Sequence, residues 1–278
     1  MISLLKTIKI RAYKLGMFLT FILVLLFSFP IIILSFITYY CHSISYPIIS
    51  FYTYEVIIPV AVKWISLTVD IRHRKSFKLF KLSGINLFIS NHCTSIDSFI
   101  ITDYLEDDRK YINILHKKSV MFIPVAGQIL KLLKFCTISR NFTEDISVIR
   151  DYLKNITKSM ISSYILIYPE GTRKTYQKQR ESNEFCKLRN IKPFNNVLCP
   201  RYKGFKELMN GIYQVNQNAK LIDLTLKYSK SVPSFLDCII GTKSFTVDIY
   251  ANVFKIGDIS DPKTFLFERF RLKDVILK

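Results

Sequence analysis

A histidine and an aspartate lie five residues apart, His92 and Asp97, directly after an apolar run. A carboxylate at this distance can fold back onto one nitrogen of the imidazole ring, which fixes the tautomer and leaves the other nitrogen as a general base. The chain has no Gly-x-Ser-x-Gly motif to supply a nucleophilic serine. The pair therefore predicts a base that activates a hydroxyl group brought by the substrate. A capping aspartate beside a structural histidine is the alternative that the spacing leaves open.

Short apolar runs that alternate with longer mixed segments must position this pair. Strands are predicted at Ile85–Ser90, Tyr164–Tyr168, Leu221–Lys227 and Ser244–Val253, and a helix is predicted over Asp145–Ser162 from its apolar spacing. Strands that alternate with helices indicate an α/β domain with a largely parallel sheet flanked by helices. Open sheets of this kind bind ligands at the carboxyl ends of their strands.

The helix that follows the first strand is predicted over Ile96–Leu105, with Thr94 or Ser95 as its N-cap. Asp97 then lies in the first helical turn, where the helix dipole favours an ionised carboxylate. The polar pair is therefore expected at the strand–helix junction, where a ligand site of an α/β sheet is expected.

Four blocks, in one order along the chain, resemble the glycerolipid (1-acylglycerol-3-phosphate) acyltransferase family. The first is Asn-His-x-x-x-x-Asp at 91–97, and the second is Pro-x-x-Gly at 124–127 followed by Arg140. The third, Tyr-Pro-Glu-Gly-Thr-Arg at 168–173, is similar to the family's Glu-Gly-Thr-Arg motif. The fourth, Leu-x-Pro-Arg-x-x-Gly-Phe at 198–205, looks like the eukaryotic branch that includes lysophosphatidate and lysocardiolipin acyltransferases. The resemblance extends from about residue 85 to the C-terminus.

The resemblance implies transfer of a fatty acyl group from acyl-CoA to the free hydroxyl of a lysophospholipid. Acyl-CoA is then a co-substrate, and neither a cofactor nor a metal ion is implied. Catalysis is assigned to His92, which takes the hydroxyl proton, and to Asp97, which holds the ring. Substrate binding is assigned to Glu170, Gly171, Thr172 and Arg173 of the third block, with Arg140 and Arg201 as further candidates for phosphate groups. The planar guanidinium group suits phosphate oxygens.

Lysophosphatidate, giving phosphatidate, is the first-choice acceptor. Lysophosphatidylinositol, lysophosphatidylglycerol and lysocardiolipin are alternative acceptors, because the four blocks are implied in the reaction common to the family and do not determine headgroup specificity. Residues 222–225 with Tyr228, and the tail 269–277, also resemble the eukaryotic branch, without an assigned role. A catalytically inactive, membrane-anchored lipid-binding protein is the alternative from another class, and the intact first and third blocks favour the enzyme.

Residues 1–65 are predicted to form a membrane anchor with one or two transmembrane segments, ahead of a catalytic domain at 66–278. No charged residue occurs between Lys14 and Glu55, whereas a single span needs only about 20 apolar residues. A second apolar run covers Tyr46–Val62.

Both flanks of these runs are basic, and positive charge marks the cytoplasmic side of a membrane. A hairpin bent near Pro30 or near Cys41–Pro47 satisfies this rule, with Trp64 as an interfacial anchor and the catalytic domain in the cytoplasm. The alternative is a single span with the second run buried in the domain. The resemblance implies the endoplasmic reticulum as the location.

The composition excludes several classes of protein. Half of the residues are apolar and the chain has 22 Phe and 16 Tyr, which disordered chains lack. The six cysteines form no Cys-x-x-Cys pair, so free thiols in a reducing compartment are expected. The net charge of +19 is spread along the chain rather than concentrated in a nucleic-acid-binding stripe. Anionic lipids and substrates explain it, and nucleic acid is not a predicted partner. The oligomeric state stays open.

Overall fold

The computed structural model describes residues 2–37, 42–74, 82, 84–105, 112–123, 125–139, 141–158, 163–229 and 231–278. Arg140, one of the predicted phosphate ligands, lies outside the described residues. The same holds for Cys41 at the predicted hairpin bend and for part of the basic flank after the second apolar run, at 75–81.

A six-stranded sheet lies at the centre of the described part of the chain. The strands are β1 (Val69–Arg74), β2 (Ile85–Ser90), β3 (Ile112–Ile114), β4 (His116–Lys117), β5 (Thr137–Ile138), β6 (Ser163–Ile167), β7 (Lys220–Tyr228) and β8 (Phe245–Lys255). The order in the sheet is β1-β8-β7-β2-β6-β3, and β4 pairs with β5 separately. Of the described pairs, β7–β8 is antiparallel and the others are parallel. The predicted α/β class with a largely parallel sheet is confirmed.

Ten α-helices are described. They are α1 (Ile2–Ile37), α2 (His42–Tyr52), α3 (Ile58–Ser66), α4 (Asp97–Tyr104), α5 (Ala126–Leu132), α6 (Phe142–Lys158), α7 (Tyr176–Leu188), α8 (Tyr202–Val215), α9 (Phe235–Ile239) and α10 (Pro262–Ile276). A π-helical turn, Thr53–Ile57, joins α2 to α3. Pro59 in the following turn has no N–H to donate to an α-helical partner, which favours such an irregular turn.

The central strands bury both of their faces, as parallel strands between two helical layers do. Successive residues of β2 alternate between the layers: Phe88 packs with α3, α4 and α5, whereas Leu87 and Ile89 pack with α6, α8 and α10. The same alternation occurs in β6 and β7. Two separate apolar cores thus hold the sheet rigid and leave its carboxyl edge for polar residues.

Helices α1 and α2 pack against each other as a hairpin. The hydroxyl of Tyr52 on α2 donates to the carbonyl of Val24 on α1 at 2.8 Å. Helix α1 continues through Pro30, so a bend at Pro30 is wrong. Helix α1 ends at Ile37 and α2 begins at His42, and Cys41, at the other predicted position, lies outside the described residues. Residues 42–46 are the first turn of α2 rather than the bend itself.

Trp64 is 1% exposed, so its predicted role as an interfacial anchor is wrong. Its ring packs against Phe18 and Phe21 of α1, and its indole N–H donates to the carbonyl of Cys238 at 2.8 Å. The contact between α1 and α3 encloses the ring, and a carbonyl of α9 satisfies its polar atom inside the protein. Residues 54–65 therefore contribute to the core of the domain.

Candidate active site

Three strand ends converge at one edge of the sheet. Strand β2 lies between β6 and β7 and is parallel to both, so the carboxyl ends of these strands are neighbours. His92 follows β2, the segment Tyr168–Arg173 follows β6, and Tyr228 ends β7. The sheet topology therefore brings the first and third sequence blocks together, although about 75 residues separate them in the sequence.

His92 and Asp97 form the predicted pair. Nδ1 of His92 lies 2.9 Å from Oδ2 of Asp97. Because the carboxylate accepts a hydrogen bond from the Nδ1–H tautomer, Nε2 keeps its lone pair. The Asp97 side chain is fully buried, whereas that of His92 is 20% exposed. The ring can therefore meet a substrate, while its partner is shielded from water.

The turn before α4 wraps around the Asp97 carboxylate. The backbone N–H groups of Cys93 and Thr94 donate to Oδ2 at 2.6 Å and 2.9 Å. The predicted N-cap, Thr94 or Ser95, is wrong: Ile96 occupies this position without a side-chain cap. The carboxylate of Asp97 binds the free N–H groups of the turn instead, because it reaches back toward them from the first helical residue.

Two tyrosines complete the surroundings of the pair, and no role was predicted for either of them. The ring of Tyr168 stacks on His92, with 4.1 Å between the ring centroids. The hydroxyl of Tyr228 donates to Oδ1 of Asp97 at 2.6 Å. Burial raises the pKa of both phenols, and the charge of Asp97 raises it further. Tyr228 lies in a segment that resembles the eukaryotic branch of the family, but its contact with Asp97 depends on β7 lying next to β2.

Glu170, in the loop after β6, bonds to the loop after β2 and to the segment that contains Leu198. Its side chain is 3% exposed, and its two oxygens accept hydrogen bonds from the backbone N–H groups of His92 at 2.9 Å and Leu198 at 3.1 Å. Burial raises the pKa of Glu170 to about 8, although these two N–H groups act in the opposite direction. The structure gives this carboxylate a role within the protein, and its contact with substrate stays a prediction.

The segment after Glu170 lies against His92. The N–H of Lys174 donates to the His92 carbonyl at 2.9 Å, which holds Thr172 and the exposed Arg173 beside the site. Gly171 has φ +69°, a left-handed conformation that side chains rarely adopt, and a Cβ atom there would come within 3.2 Å of Nε of Arg201. A glycine is therefore needed at this position.

Arg201 meets the third block through its backbone as well. Its N–H donates to the carbonyl of Pro169 at 2.8 Å, and its exposed side chain lies beside Gly171. Two guanidinium groups, those of Arg173 and Arg201, thus lie on loops that carry or touch the third block. Both remain predicted ligands of phosphate groups.

A family model described as Acyltransferase matches residues 74–228, which is more than half of the chain. The chain belongs to the acyltransferase family. The matched region contains the first and third blocks, the fourth block and Tyr228. The predicted resemblance to glycerolipid acyltransferases is confirmed.

Several curated acyltransferases are similar to this family member. Probable 1-acyl-sn-glycerol-3-phosphate acyltransferase 5 of Arabidopsis thaliana is 28% identical over 69% of this chain and 52% of that protein. Lysophosphatidylinositol acyltransferase 10 of Caenorhabditis elegans is 25% identical over 81% and 60%, respectively. Lysocardiolipin acyltransferase 1 of Gallus gallus is 26% identical over 53% and 40%. The chain thus spans about half the length of the curated relatives it matches.

The 1-acyl-sn-glycerophosphate acyltransferase PlsC of Thermotoga maritima is a solved structure with a TM-score of 0.49 to this chain. It is 11% identical, and the alignment covers 96% of this chain and 95% of that one.

We expect Glu170→Gln to destabilise the acyltransferase by about 1–3 kcal/mol, because an amide accepts through its single oxygen only and leaves one of the two buried backbone N–H groups without an acceptor. The raised pKa means that wild-type Glu170 binds a proton in the folded state at a pH where it is ionised in the unfolded state. Its stabilising contribution is therefore complete below about pH 4.5 and is lost as the pH rises through about 8. The difference in free energy of unfolding between the wild type and Glu170→Gln should therefore become smaller as the pH rises over this range. Chemical denaturation at several pH values measures it, and a deficit that widens with pH contradicts the assignment.

Proposed function

We propose that this chain transfers a fatty acyl group from acyl-CoA to the free hydroxyl of a lysophospholipid, with lysophosphatidate as the first-choice acceptor. The observation that carries the proposal is the 2.9 Å contact between His92 and the buried Asp97, on a sheet edge that also holds Arg173 and Arg201. Membership of the acyltransferase family supports the reaction class. The names of the similar proteins, which include acceptors with three different headgroups, support a lysophospholipid as acceptor.

In the proposed reaction, the acceptor oxygen attacks the carbonyl carbon of the thioester while Nε2 of His92 takes the hydroxyl proton. A C–O bond forms, the C–S bond then breaks, and the protonated ring returns its proton to the leaving thiolate. General-base assistance contributes about 10²–10⁴-fold to the rate. The N–H groups of Cys93, Thr94 and Gly171 already have partners within the protein. Other donors must therefore stabilise the oxyanion.

We expect His92→Ala to lower turnover by about 10²-fold or more, because the general base is lost. Asp97→Asn should be severe as well, because an amide favours the wrong tautomer of the ring. Acyl-CoA consumption with a panel of lysophospholipids, in membranes that contain equal amounts of each protein, measures both effects. A matched control is His116→Ala, which removes a histidine on β4, outside the proposed site. Near-normal turnover by a folded His92→Ala enzyme would refute the mechanism.

We expect Arg173→Ala to raise the acceptor KM, because a charge-assisted bond to phosphate is worth about 1.5–3 kcal/mol. Arg150→Ala is the control of equal charge: this exposed arginine forms an ion pair with Glu207, and such surface pairs contribute little. Initial rates are measured with acceptor and acyl-CoA varied separately. A change confined to the acyl-CoA KM would reassign Arg173 to the coenzyme.

The headgroup is a separate question, which the same panel answers. Lysophosphatidate is proposed first because its phosphate is a terminal monoester, with no headgroup attached, and can be held by two guanidinium groups. Lysophosphatidylinositol, lysophosphatidylglycerol and lysocardiolipin are the other acceptors. No acyl-CoA turnover with any acceptor would support the inactive lipid-binding alternative.

We also propose that the N-terminal helices anchor the enzyme in a membrane as a hairpin, with both ends in the cytoplasm. Two segments, Leu5–Pro30 and Pro47–Ser66, are long and apolar enough to cross a membrane. Phe18 and Phe21 of α1 pack against Trp64 in the domain, so this part of α1 runs along the domain. That packing supports a re-entrant hairpin over two full crossings. The endoplasmic reticulum is the proposed location, on the basis of family resemblance.

The proposed orientation leaves two glycosylation sequons unmodified. Asn141 and Asn155 each begin an Asn-x-Thr sequence, and both side chains are exposed. We therefore expect no glycan when the chain is synthesised with microsomes, since the domain never enters the lumen. A fusion that carries the domain into the lumen behind a cleavable signal is the positive control. An endoglycosidase-sensitive glycan at either asparagine in the unfused chain would overturn the cytoplasmic orientation.

A further inference from the structure

The two oxygens of the Asp97 carboxylate have different partners. Oδ2 faces its own turn and accepts from Cys93 N, Thr94 N and the ring of His92. Oδ1 accepts from the hydroxyl of Tyr228 at 2.6 Å. Tyr228 is the last residue of β7, and 131 residues separate it from Asp97. The neighbouring strand thus supplies the hydrogen bond on the side of the carboxylate that the local turn does not cover.

We propose that Tyr228 is a positioning residue for His92 that acts through Asp97. This proposal rests on the proposed function, because it gives Tyr228 a part in the same proton transfer. The phenol fixes the plane of the carboxylate and takes up part of its charge. The other oxygen then stays aligned with Nδ1 of His92, and the carboxylate can stabilise the imidazolium that forms during the reaction. Tyr228 touches neither substrate and moves no proton.

The hydroxyl of Tyr228 stays protonated and can therefore donate this hydrogen bond throughout the working pH range. Tyr228 is largely buried beside Asp97, and both burial and the adjacent charge keep its proton in place. Hydrogen bonds to charged groups are roughly twice as strong as those between neutral groups. The Tyr228 hydroxyl bonds to the carboxylate of Asp97, which in turn orients His92. Loss of this bond can therefore change the rate by a measurable factor, although Tyr228 does not contact the reacting atoms.

Other ionisable groups face the pair and must be separated from the effect. Cys93 lies in the same turn, Tyr168 and Glu170 follow β6, and Lys174 lies further along that loop. Burial raises the pKa of the Cys93 thiol and of the Tyr168 phenol, so both stay neutral near pH 7. Glu170, with a pKa raised to about 8 by burial, titrates in the working range. A comparison of wild type with a variant at Tyr228 cancels this contribution, since both enzymes retain Glu170.

Tyr228→Phe tests the proposal, because it keeps the ring and removes only the hydroxyl. We expect kcat to fall about tenfold or more, the loss of a bond to a charged group, while both KM values stay within about twofold. We also expect the acid limb of the kcat/KM profile to move to higher pH. A carboxylate that no longer shares its charge with the phenol favours the protonated ring. Tyr250→Phe, a change of the same kind on β8 opposite Thr225, should leave kcat and the profile unchanged.

A double-mutant cycle separates positioning from general damage. If Tyr228 acts through Asp97, Tyr228→Phe should have little further effect in an Asp97→Asn background, where the carboxylate is already gone. Thermal unfolding of each variant checks that the fold is retained. Additive losses, a change in KM alone, or equal losses in Tyr250→Phe would each overturn the positioning role. A wild-type enzyme without acyl transfer would instead refute the proposed function. An active wild type that Tyr228→Phe matches would refute only the role of Tyr228.

Discussion

The buried carboxylate of Glu170 holds the backbone of His92 in place, and the geometry of the site depends on it. Its oxygens accept from the N–H groups of His92 and Leu198, and the N–H of Lys174 binds the carbonyl of His92 from the other side. Both backbone polar groups of His92 are thus bonded to the loop after β6. A buried carboxylate without donors costs several kcal/mol, so this arrangement is strongly preferred over any in which the loops separate.

The backbone hydrogen bonds of His92 fix the position of its Cα atom, and contacts with neighbouring side chains fix the orientation of its ring. Tyr168 stacks on one face of the His92 ring, and Asp97 holds Nδ1 from a fully buried position. Both oxygens of Asp97 are bonded, so the carboxylate cannot turn away from the ring. The ring of His92 is thus held in one orientation, which its proposed role as a general base requires.

The sheet brings these loops together because its apolar residues cover its two faces and its polar residues lie at the carboxyl ends of its strands. Its two faces are covered by apolar side chains of the helices, whereas its carboxyl edge carries the polar loops. Asp223 of β7 forms buried ion pairs with Arg269 at 2.6 Å and Lys273 at 2.5 Å. These contacts fix α10 on β7, the strand whose end supplies Tyr228. Removing one partner of such a pair leaves a buried charge uncompensated, which is costly.

Local sequence patterns are sufficient to predict the features that depend on neighbouring residues. The apolar runs of β2, β6, β7 and β8, the helix that begins at Asp97, and the contact of His92 with Asp97 all follow from local spacing. The tertiary structure decided the contacts between distant residues. Glu170 with Leu198, Tyr228 with Asp97 and Trp64 with Cys238 depend on strand order and helix packing. No local pattern encodes these, because strand pairing is chosen by the burial of whole faces. The same reason explains the wrong prediction for Trp64, whose indole N–H donates to Cys238, and for Thr94, whose hydroxyl donates to the carbonyl of Pro233.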